Sequence, residues 1–269
     1  MSAESPRDWD ARTYDRVSDP QVEWARAVLD RLALTGHETV LDAGCGSGRV
    51  TLMLLERLPH GRVIAVDAAP SMVAQASAAL GERAEVRQAE LTGLELDEAV
   101  DAVFSNAVFH WVADHDALFR RLHAALRPGG RLAAQCGGAG NVERFHAVVG
   151  AAGAEEPFAA HLAGWEGPWN FAGAEVTARR LERAGFEEVD CRLMPWPVRP
   201  PDPRAYLRTV CLGHHLERLP SELRDAFVDT VAERCAGGWE SDKLTLSARR
   251  PAASLELGHV RLDIAARRP

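Results

Sequence analysis

The chain has few cysteines, no long hydrophobic run and no concentration of basic residues. Its five cysteines are widely spaced, with no Cys-x-x-Cys pair and no zinc-finger pattern, so we expect reduced thiols in a cytoplasmic protein. Charges interrupt the first ten residues, and no apolar run reaches the length of a bilayer span, so we predict neither export nor membrane insertion. The formal net charge is −8 and the arginines are dispersed, which argues against nucleic acid as a partner.

Strands and helices alternate along the first half of the chain. The length of 269 residues, with 46% hydrophobic and 26% charged residues, permits a full α/β sheet with a small appended cap. Helical spacing predicts an N-terminal helix within 8–34. The predicted strands of this half are 39–42, 62–67, 85–89, 101–105 and 131–135. Helices between them indicate a parallel, doubly wound sheet.

The second half follows a different pattern. We predict helices at 141–152, 174–184, 203–217 and 220–236, one strand near 186–194 and a last strand near 257–266. In the last strand Val260, Leu262 and Ile264 alternate with polar residues, which is typical of an edge or antiparallel strand. The predicted fold is therefore a mostly parallel, seven-stranded Rossmann-like sheet with an antiparallel last strand and a helical cap. We expect one domain over 1–269, with an N-terminal helical segment at about 1–36 and cap insertions at about 141–172 and 200–240.

A glycine-rich loop follows the first predicted strand. Gly44, Gly46 and Gly48 stand between that strand and a helix, where the missing side chains let backbone amides and the helix N-terminus approach a ligand. This context is typical of a nucleoside cofactor. In the dinucleotide fingerprint the third glycine would stand three residues after the second, but Arg49 occupies that position here. The loop therefore disfavours direct contact with a pyrophosphate.

Two aspartates accompany the loop. Asp42 directly precedes it, where a carboxylate would repel a pyrophosphate but attract the ammonium group of a methionine-like tail. Asp67 ends the second strand, 19 residues after Gly48, where it can accept hydrogen bonds from both ribose hydroxyls. S-adenosylmethionine and NAD both carry free ribose hydroxyls, so Asp67 alone does not choose between them.

Several segments together resemble class I S-adenosylmethionine-dependent methyltransferases. They are the first motif at 40–48, the second at 63–72, the third at Gln88-Ala89-Glu90-Leu91, and the turn at 126–130. The resemblance is close over residues 9–136 and looser beyond. Within the superfamily, the segment 104–111 with Asp114-His115 is similar to trans-aconitate methyltransferases and to the carboxyl methyltransferases of biotin synthesis, which methylate small carboxylic acids.

The resemblance implies S-adenosyl-L-methionine as the cofactor and assigns its parts. Gly44 and Gly46 would line the methionine portion, and Asp67 would hold the ribose. Residues of the second and third motifs would surround the adenine: Ala68, Met72, Glu90 and Leu91. Tyr14 belongs to a segment that covers the cofactor in similar enzymes. The full set of predicted cofactor contacts is Tyr14, Asp42, Gly44, Cys45, Gly46, Gly48, Asp67, Ala68, Met72, Glu90, Leu91, Asn106 and Trp111.

The reacting end is expected where the fourth strand stops. Asn106 follows that strand at the carboxyl edge of the sheet, where ligands gather, so we expect its amide to face the methionine part. His110 is the candidate catalytic residue. A phenol, alcohol or carbon acid would use it as a base, whereas a carboxylate, already ionised at pH 7, would use it as a hydrogen-bond donor. A histidine that only packs beside Trp111 is the third possibility.

We predict an enzyme that transfers a methyl group by in-line displacement to a small apolar or carboxylate-bearing acceptor, at a carboxylate or hydroxyl oxygen or at carbon. One alternative is a cofactor-binding protein that acts as a cyclase or regulator without methylating. A less favoured alternative is an NAD-dependent oxidoreductase. Such an enzyme would need glycine at position 49 and a Tyr-x-x-x-Lys pair or a comparable proton donor. The chain has Arg49 and a single lysine, Lys243, and it supplies neither feature. No metal site is predicted, and the oligomeric state is not predicted.

Overall fold

The computed structural model describes residues 19–236 and 255–269, with side chains described from Trp24 onward in the first range. In these ranges seven strands form one sheet in the order β3-β2-β1-β4-β5-β7-β6. The strands are β1 (Thr39–Ala43), β2 (Arg62–Asp67), β3 (Glu85–Gln88), β4 (Val100–Asn106), β5 (Leu126–Gly137), β6 (Glu187–Val198) and β7 (Leu257–Arg267).

The helices that follow the first strands alternate with them as predicted. The α-helices are α1 (Asp19–Leu32), α2 (Arg49–Glu56), α3 (Pro70–Leu80), α4 (His115–Ala125), α5 (Glu143–Gly153), α6 (Ala159–Leu162), α7 (Ala174–Arg183), α8 (Pro203–Tyr206), α9 (Gly213–Arg218) and α10 (Ser221–Ala236). The predicted N-terminal helix is seen as α1, and the residues before Asp19 lie outside the described ranges. The predicted fold class is confirmed.

The central strands are parallel and buried on both faces. β1 lies between β2 and β4, with Asp42 opposite Ala65 and Phe104. Alternate residues of these strands enter two hydrophobic clusters, one containing Leu41 and the other Val40. Burial on both faces explains why such strands are continuously apolar in sequence. The strand order reverses between β1 and β4, so their carboxyl ends form the crevice where open α/β sheets bind ligands.

The last strand runs antiparallel to β5, with Gly137 opposite Arg261. Leu262 and Ile264 of β7 are buried, as their alternation with polar residues predicted. β7 is an interior strand, because β6 lies beyond it in the sheet. The antiparallel alternative in the sequence prediction was therefore correct.

β5 and the helix predicted at 203–217 depart from their predicted limits for identifiable reasons. β5 begins at Leu126 instead of 131, because Leu126 pairs with Val100 and Arg131 pairs with Ala102, and the intervening turn bulges out of the ladder. The helix predicted at 203–217 is broken by a π-helical turn at Leu207–Cys211. A π-helical turn inserts an extra residue into the helical repeat, which the spacing of apolar residues does not reveal.

The chain divides into two compact units. The described residues of the first extend to Asn141 and include Pro168–Pro195 and Val260–Pro269; those of the second lie within Val142–Gly167 and Trp196–His259. The first unit carries β1 to β5, and the second has its own core, in which Phe158 meets Phe227 edge-on at 4.9 Å. The single domain and its predicted insertion limits stay predictions. In the described ranges, no helix combines the length and apolar character needed to cross a membrane.

Candidate active site

The glycine loop between β1 and α2 is built from left-handed backbone. Gly44, Gly46 and Gly48 have φ values of 86°, 55° and 85°, which side chains rarely tolerate. The amides of Gly44 and Cys45 donate to the carbonyl of Val66 at 2.8 and 2.9 Å, which joins the loop to the end of β2. A Cβ on Gly44 would lie 2.2 Å from Cγ2 of Val108. Glycine is therefore required at position 44 both for conformation and for space.

Asp67 holds the loop from the neighbouring strand. Its Oδ2 accepts the amide hydrogen of Gly46 at 2.9 Å, and its Oδ1 accepts that of Ala69 at 2.9 Å. Burial raises the pKa of this carboxyl above its ordinary value, and the amide hydrogen bonds lower it in part. Asp67, which is predicted to bind the ribose, thus also fixes the conformation of the glycine loop.

Asp42 lies beneath the same loop and is only 1% exposed. Its Oδ2 accepts the hydroxyl hydrogen of Thr51 at 2.7 Å. Burial, together with the nearby charge of Asp67, raises the pKa of Asp42 to about 7. Burial and the same two carboxylates also raise the pKa of the Cys45 thiol, which keeps it neutral. The two carboxylates leave this end of the crevice attractive to a cation.

The predicted adenine contacts come from the ends of two neighbouring strands. The side chain of Gln88 donates to the carbonyl of Ala68 at 3.2 Å, and the amide of Ala89 donates to the carbonyl of Asp67 at 3.0 Å. These bonds place the third motif beside the second. Met72 and Leu91 are buried, whereas Glu90 is exposed.

At the other end of the crevice, an amide pair joins β4 to β5. Nε2 of Gln135 donates to Oδ1 of Asn106 at 2.7 Å, and the amide of Ala107 donates to the carbonyl of Gln135 at 2.8 Å. Ala107 has a φ of 63°, an uncommon conformation for a residue with a side chain. The turn that leaves β4 is therefore fixed by β5 in a strained backbone geometry.

The ring of His110 is held by the backbone at the end of β5. The amide of Gly137 donates to Nδ1 of His110 at 3.1 Å. A neutral imidazole carries its proton on one nitrogen and accepts on the other, so this bond places the proton of His110 on Nε2. His110 is half-buried and lies 4.8 Å from the ring of Trp111 and 5.8 Å from that of Phe171, centroid to centroid.

His115 also binds the loop that carries His110. It is buried. Arg180 can only donate a hydrogen bond, so Nδ1 of His115, 3.3 Å away, accepts it and the ring proton lies on Nε2. Nε2 donates this proton to the carbonyl of Phe109 at 2.8 Å. Burial lowers the pKa of His115 below its ordinary value. Both histidines near the end of β4 are thus oriented by defined hydrogen bonds.

Comparison with known proteins decides the family. A methyltransferase-domain model matches residues 40–130. A trans-aconitate 2-methyltransferase of Methylobacterium radiotolerans is 30% identical over 243 residues, which cover 86% of this chain and 90% of that protein. The chain belongs to the class I S-adenosylmethionine-dependent methyltransferases. A trans-aconitate 2-methyltransferase of Methylobacterium nodulans is 34% identical to this methyltransferase over 187 residues, or 69% of this chain and 67% of that protein.

A solved structure shares the fold at low sequence identity. The Haemonchus contortus phosphoethanolamine N-methyltransferase 2, in complex with phosphomonomethylethanolamine and S-adenosylhomocysteine, has a TM-score of 0.60 and 17% identity. The match covers 96% of this chain and 57% of that one. This likeness supports the Rossmann-like fold. Membership in the methyltransferase family makes the protein an enzyme with S-adenosyl-L-methionine as its cofactor.

The glycine loop of the methyltransferase fits this cofactor. Among the described residues, no heavy atom lies within 4 Å of a Cβ placed on Gly46, so the loop is open at that position. The carboxylate of Asp67 lies at this opening, where it accepts the amide hydrogen of Gly46 at 2.9 Å. The predicted contact Tyr14 lies outside the described residues. In the described ranges, no group of three or more His, Cys, Asp and Glu side chains is arranged to hold a metal ion.

Sequence reasoning missed four residues that orient the site. Thr51 binds Asp42, Gln135 binds Asn106, Gly137 binds His110, and Asn170 binds the loop that carries His110. Gln135 had a usable signal, because it is a polar residue at the end of an apolar strand, as Asn106 is. Asn170, in a region with no clear strand or helix pattern, had none.

Proposed function

We propose that this methyltransferase transfers the methyl group to a carboxylate oxygen of a small carboxylic acid. The observation that carries the proposal is the hydrogen bond from the Gly137 amide to Nδ1 of His110. It bears on the one question that separates the acceptor classes, namely whether the enzyme must remove a proton from the acceptor.

The hydrogen bond favours His110 as a donor over His110 as a base. To accept a proton at Nε2, the ring would need its own proton on Nδ1, where it would oppose the Gly137 N–H. A phenol or an alcohol is protonated at neutral pH and would benefit from a base, whereas a carboxylic acid with a pKa of about 4 is already ionised. A neutral Nε2–H donor suits an oxygen that is already negative.

The relatives support the same acceptor class. Both Methylobacterium proteins are named trans-aconitate 2-methyltransferases. That name describes methylation of a small carboxylic acid. We extend the acceptor class, and not the individual acid, to this methyltransferase.

In the proposed site, the two ends of the crevice have separate tasks. Asp67 would bind the ribose, Gly44 and Gly46 would admit the methionine portion, and Asp42 would face its ammonium group. The remaining proposed cofactor contacts are Cys45, Gly48, Ala68, Met72, Glu90, Leu91, Asn106, Trp111 and Tyr14. When bound, S-adenosylmethionine supplies a methyl carbon activated by the sulfonium. The protein then has to align the acceptor oxygen with that carbon and exclude water.

An acceptor screen tests the proposal. The purified enzyme is incubated with S-adenosylmethionine and with separate panels of carboxylic acids, including trans-aconitate, phenols and alcohols, and products are identified by mass spectrometry. We expect one added methyl group on a carboxylic acid and loss of that group under mild alkali, which hydrolyses an ester but not an ether. An alkali-stable product, or methylation confined to phenols and alcohols, contradicts the proposal.

A pair of His110 variants tests the donor role. His110→Gln keeps an oxygen that can accept from the Gly137 amide and an N–H₂ that can donate, whereas His110→Ala keeps neither. We expect His110→Gln to keep turnover within about threefold and His110→Ala to lose about ten- to a hundredfold, as for one or two hydrogen bonds. Equally large losses in both variants would identify a base instead, because glutamine cannot accept a proton.

A further inference from the structure

Asn170 binds the loop after β4 at three points. Its backbone N–H donates to the carbonyl of His110 at 2.9 Å. Its side-chain Nδ2 donates to the carbonyls of Val112 at 3.2 Å and Ala113 at 3.0 Å. One residue from a distant part of the chain therefore satisfies three carbonyl groups of the loop that contains the 3₁₀ turn Phe109–Trp111.

The residues on either side of Asn170 complete an aromatic wall. Trp169 and Phe171 stack with centroids 6.4 Å apart and an interplanar angle of 11°. Trp169 lies 6.2 Å from Trp111, and Phe171 lies 5.8 Å from His110. We call these four rings, from Trp111, Trp169, Phe171 and His110, the aromatic wall.

The segment that carries Asn170 is also attached to β5. The amide of Ala139 donates to the carbonyl of Ala172 at 3.0 Å. A Cβ on Gly137 would lie only 2.7 Å from Cε1 of Phe171, so the phenyl ring packs directly on the backbone whose amide orients His110. The loop after β4, the end of β5 and the segment around Asn170 thus form one connected layer beside the reacting end.

We propose that Asn170 is a positioning residue for the acceptor: it holds the aromatic wall and the His110 ring where the acceptor is bound. The proposal rests on the proposed function, which places the acceptor at His110. Asn170 itself need not touch the acceptor. Its loss would release the carbonyls of Val112 and Ala113 to water and let the wall move by fractions of an ångström, to which in-line transfer is sensitive.

Asn170→Ala and Asn170→Asp test the proposal with trans-aconitate, or with whichever acid the screen identifies. Asn170→Asp preserves the shape but replaces the NH₂ group, which donates both hydrogen bonds, with an oxygen that repels the two carbonyls. We expect KM for the acceptor to rise and kcat to fall, each about tenfold in Asn170→Ala and more in Asn170→Asp, the size expected for one or two lost hydrogen bonds. The affinity for S-adenosylhomocysteine, measured by calorimetry, should change much less, by about threefold at most, because Trp111 is the only ring of the wall among the proposed cofactor contacts.

Asp101→Ala is the matched control. Asp101 accepts the amide hydrogen of Thr39 at 2.7 Å and pairs with Arg127 at the opposite edge of the sheet, so its loss lowers stability away from the crevice. If Asn170→Ala only matches this control in KM, kcat and thermal stability, the positioning role is wrong. An equal loss of cofactor affinity would also overturn it.

A readout that needs no acceptor separates this proposal from the proposed function. Hydrogen exchange of the amides at 109–113 should become about tenfold faster in Asn170→Ala, because the loop loses two anchoring bonds, and should not change in Asp101→Ala. Unchanged exchange at 109–113 overturns the role of Asn170 even if carboxylate methylation is found. Faster exchange without any methylated carboxylate leaves the anchoring role standing and rejects the acceptor class.

Discussion

The two ends of the crevice are fixed by different kinds of contact. At the cofactor end, the glycine loop and the end of β2 hold each other through backbone amides, the Val66 carbonyl and the Asp67 carboxylate. At the reacting end, the loop after β4 depends on Gly137 and Asn170, which lie 27 and 58 residues away from their partners His110 and Val112. The cofactor end is thus nearly self-contained, whereas the reacting end depends on distant segments.

This difference has a consequence for variation. Substitutions in the segment around Asn170 can reshape the proposed acceptor site without disturbing the loop that we propose binds the cofactor. The two ends meet where Val108 of the reacting-end loop packs over Gly44. Glycine substitutions at the two ends therefore show how independent the ends are.

Gly44→Ala should have the largest effect, because it affects both ends at once. The new Cβ would lie 2.2 Å from Cγ2 of Val108, and the backbone has a φ of 86°. Left-handed strain and overpacking together cost about 2 to 5 kcal/mol. We expect S-adenosylhomocysteine affinity to fall more than about thirtyfold by calorimetry, together with turnover. Gly150→Ala is the control, since among the described residues a Cβ there meets no heavy atom within 4 Å. If the Gly44 variant binds S-adenosylhomocysteine as tightly as this control does, the side chain of Val108 can move aside at little cost and the prediction is wrong.

Gly137→Ala should damage the reacting end alone. Its Cβ would lie 2.7 Å from Cε1 of Phe171 and 2.9 Å from Nδ2 of Asn141, so the aromatic wall and the bond to His110 must shift. We expect turnover to fall about tenfold or more, in line with an overpacking cost of about 1 to 3 kcal/mol, with cofactor affinity nearly unchanged. The double variant Gly137→Ala/Phe171→Leu should recover part of the activity by making room. Equal losses of cofactor affinity and turnover would disprove the independence of the two ends.

The same contrast explains how far the sequence predicted the site. The cofactor end was predictable because its signal is local: Asp42, three glycines and a helix start follow one another, and Asp67 closes the next strand. The structure brings these residues together as expected. Their shared position follows from parallel strands that meet at one edge of the sheet.

The reacting end was only partly predictable. His110 and Asn106 stood out because they follow a buried strand, but the proton position of His110 depends on an amide of β5. No local pattern encodes that contact. The fold followed the same rule, since the strand limits of β2 were predicted to the residue, whereas the bulge in β5 and the π-helical turn after Tyr206 depend on pairing and packing between distant segments.

Asp42→Asn changes the shape of the site least and should show a distinct dependence on pH. In the cofactor-free protein the pKa of Asp42 is raised to about 7, so the folded state binds this proton more tightly than the unfolded state, where the pKa is near 3.8. The stability from this group is complete below about pH 4 and is lost as pH rises toward 7, by at most about 1.4 kcal/mol per pH unit. Asparagine cannot titrate, so the free energy of unfolding of Asp42→Asn should decrease less over this range.

The measurement is the difference between the two proteins in denaturant unfolding at pH 4.5 to 7.5. A difference is needed because burial lowers the pKa of His146 and of His259, each to about 4, and buried neutral histidines make stability rise with pH over the same range. These contributions cancel between wild type and variant, which leaves that of Asp42. Parallel curves would mean that Asp42 is ionised in the folded protein. Asp42 would then carry its negative charge before any cation binds. Otherwise, Asp42 is a largely neutral carboxyl group that ionises when a positive charge arrives.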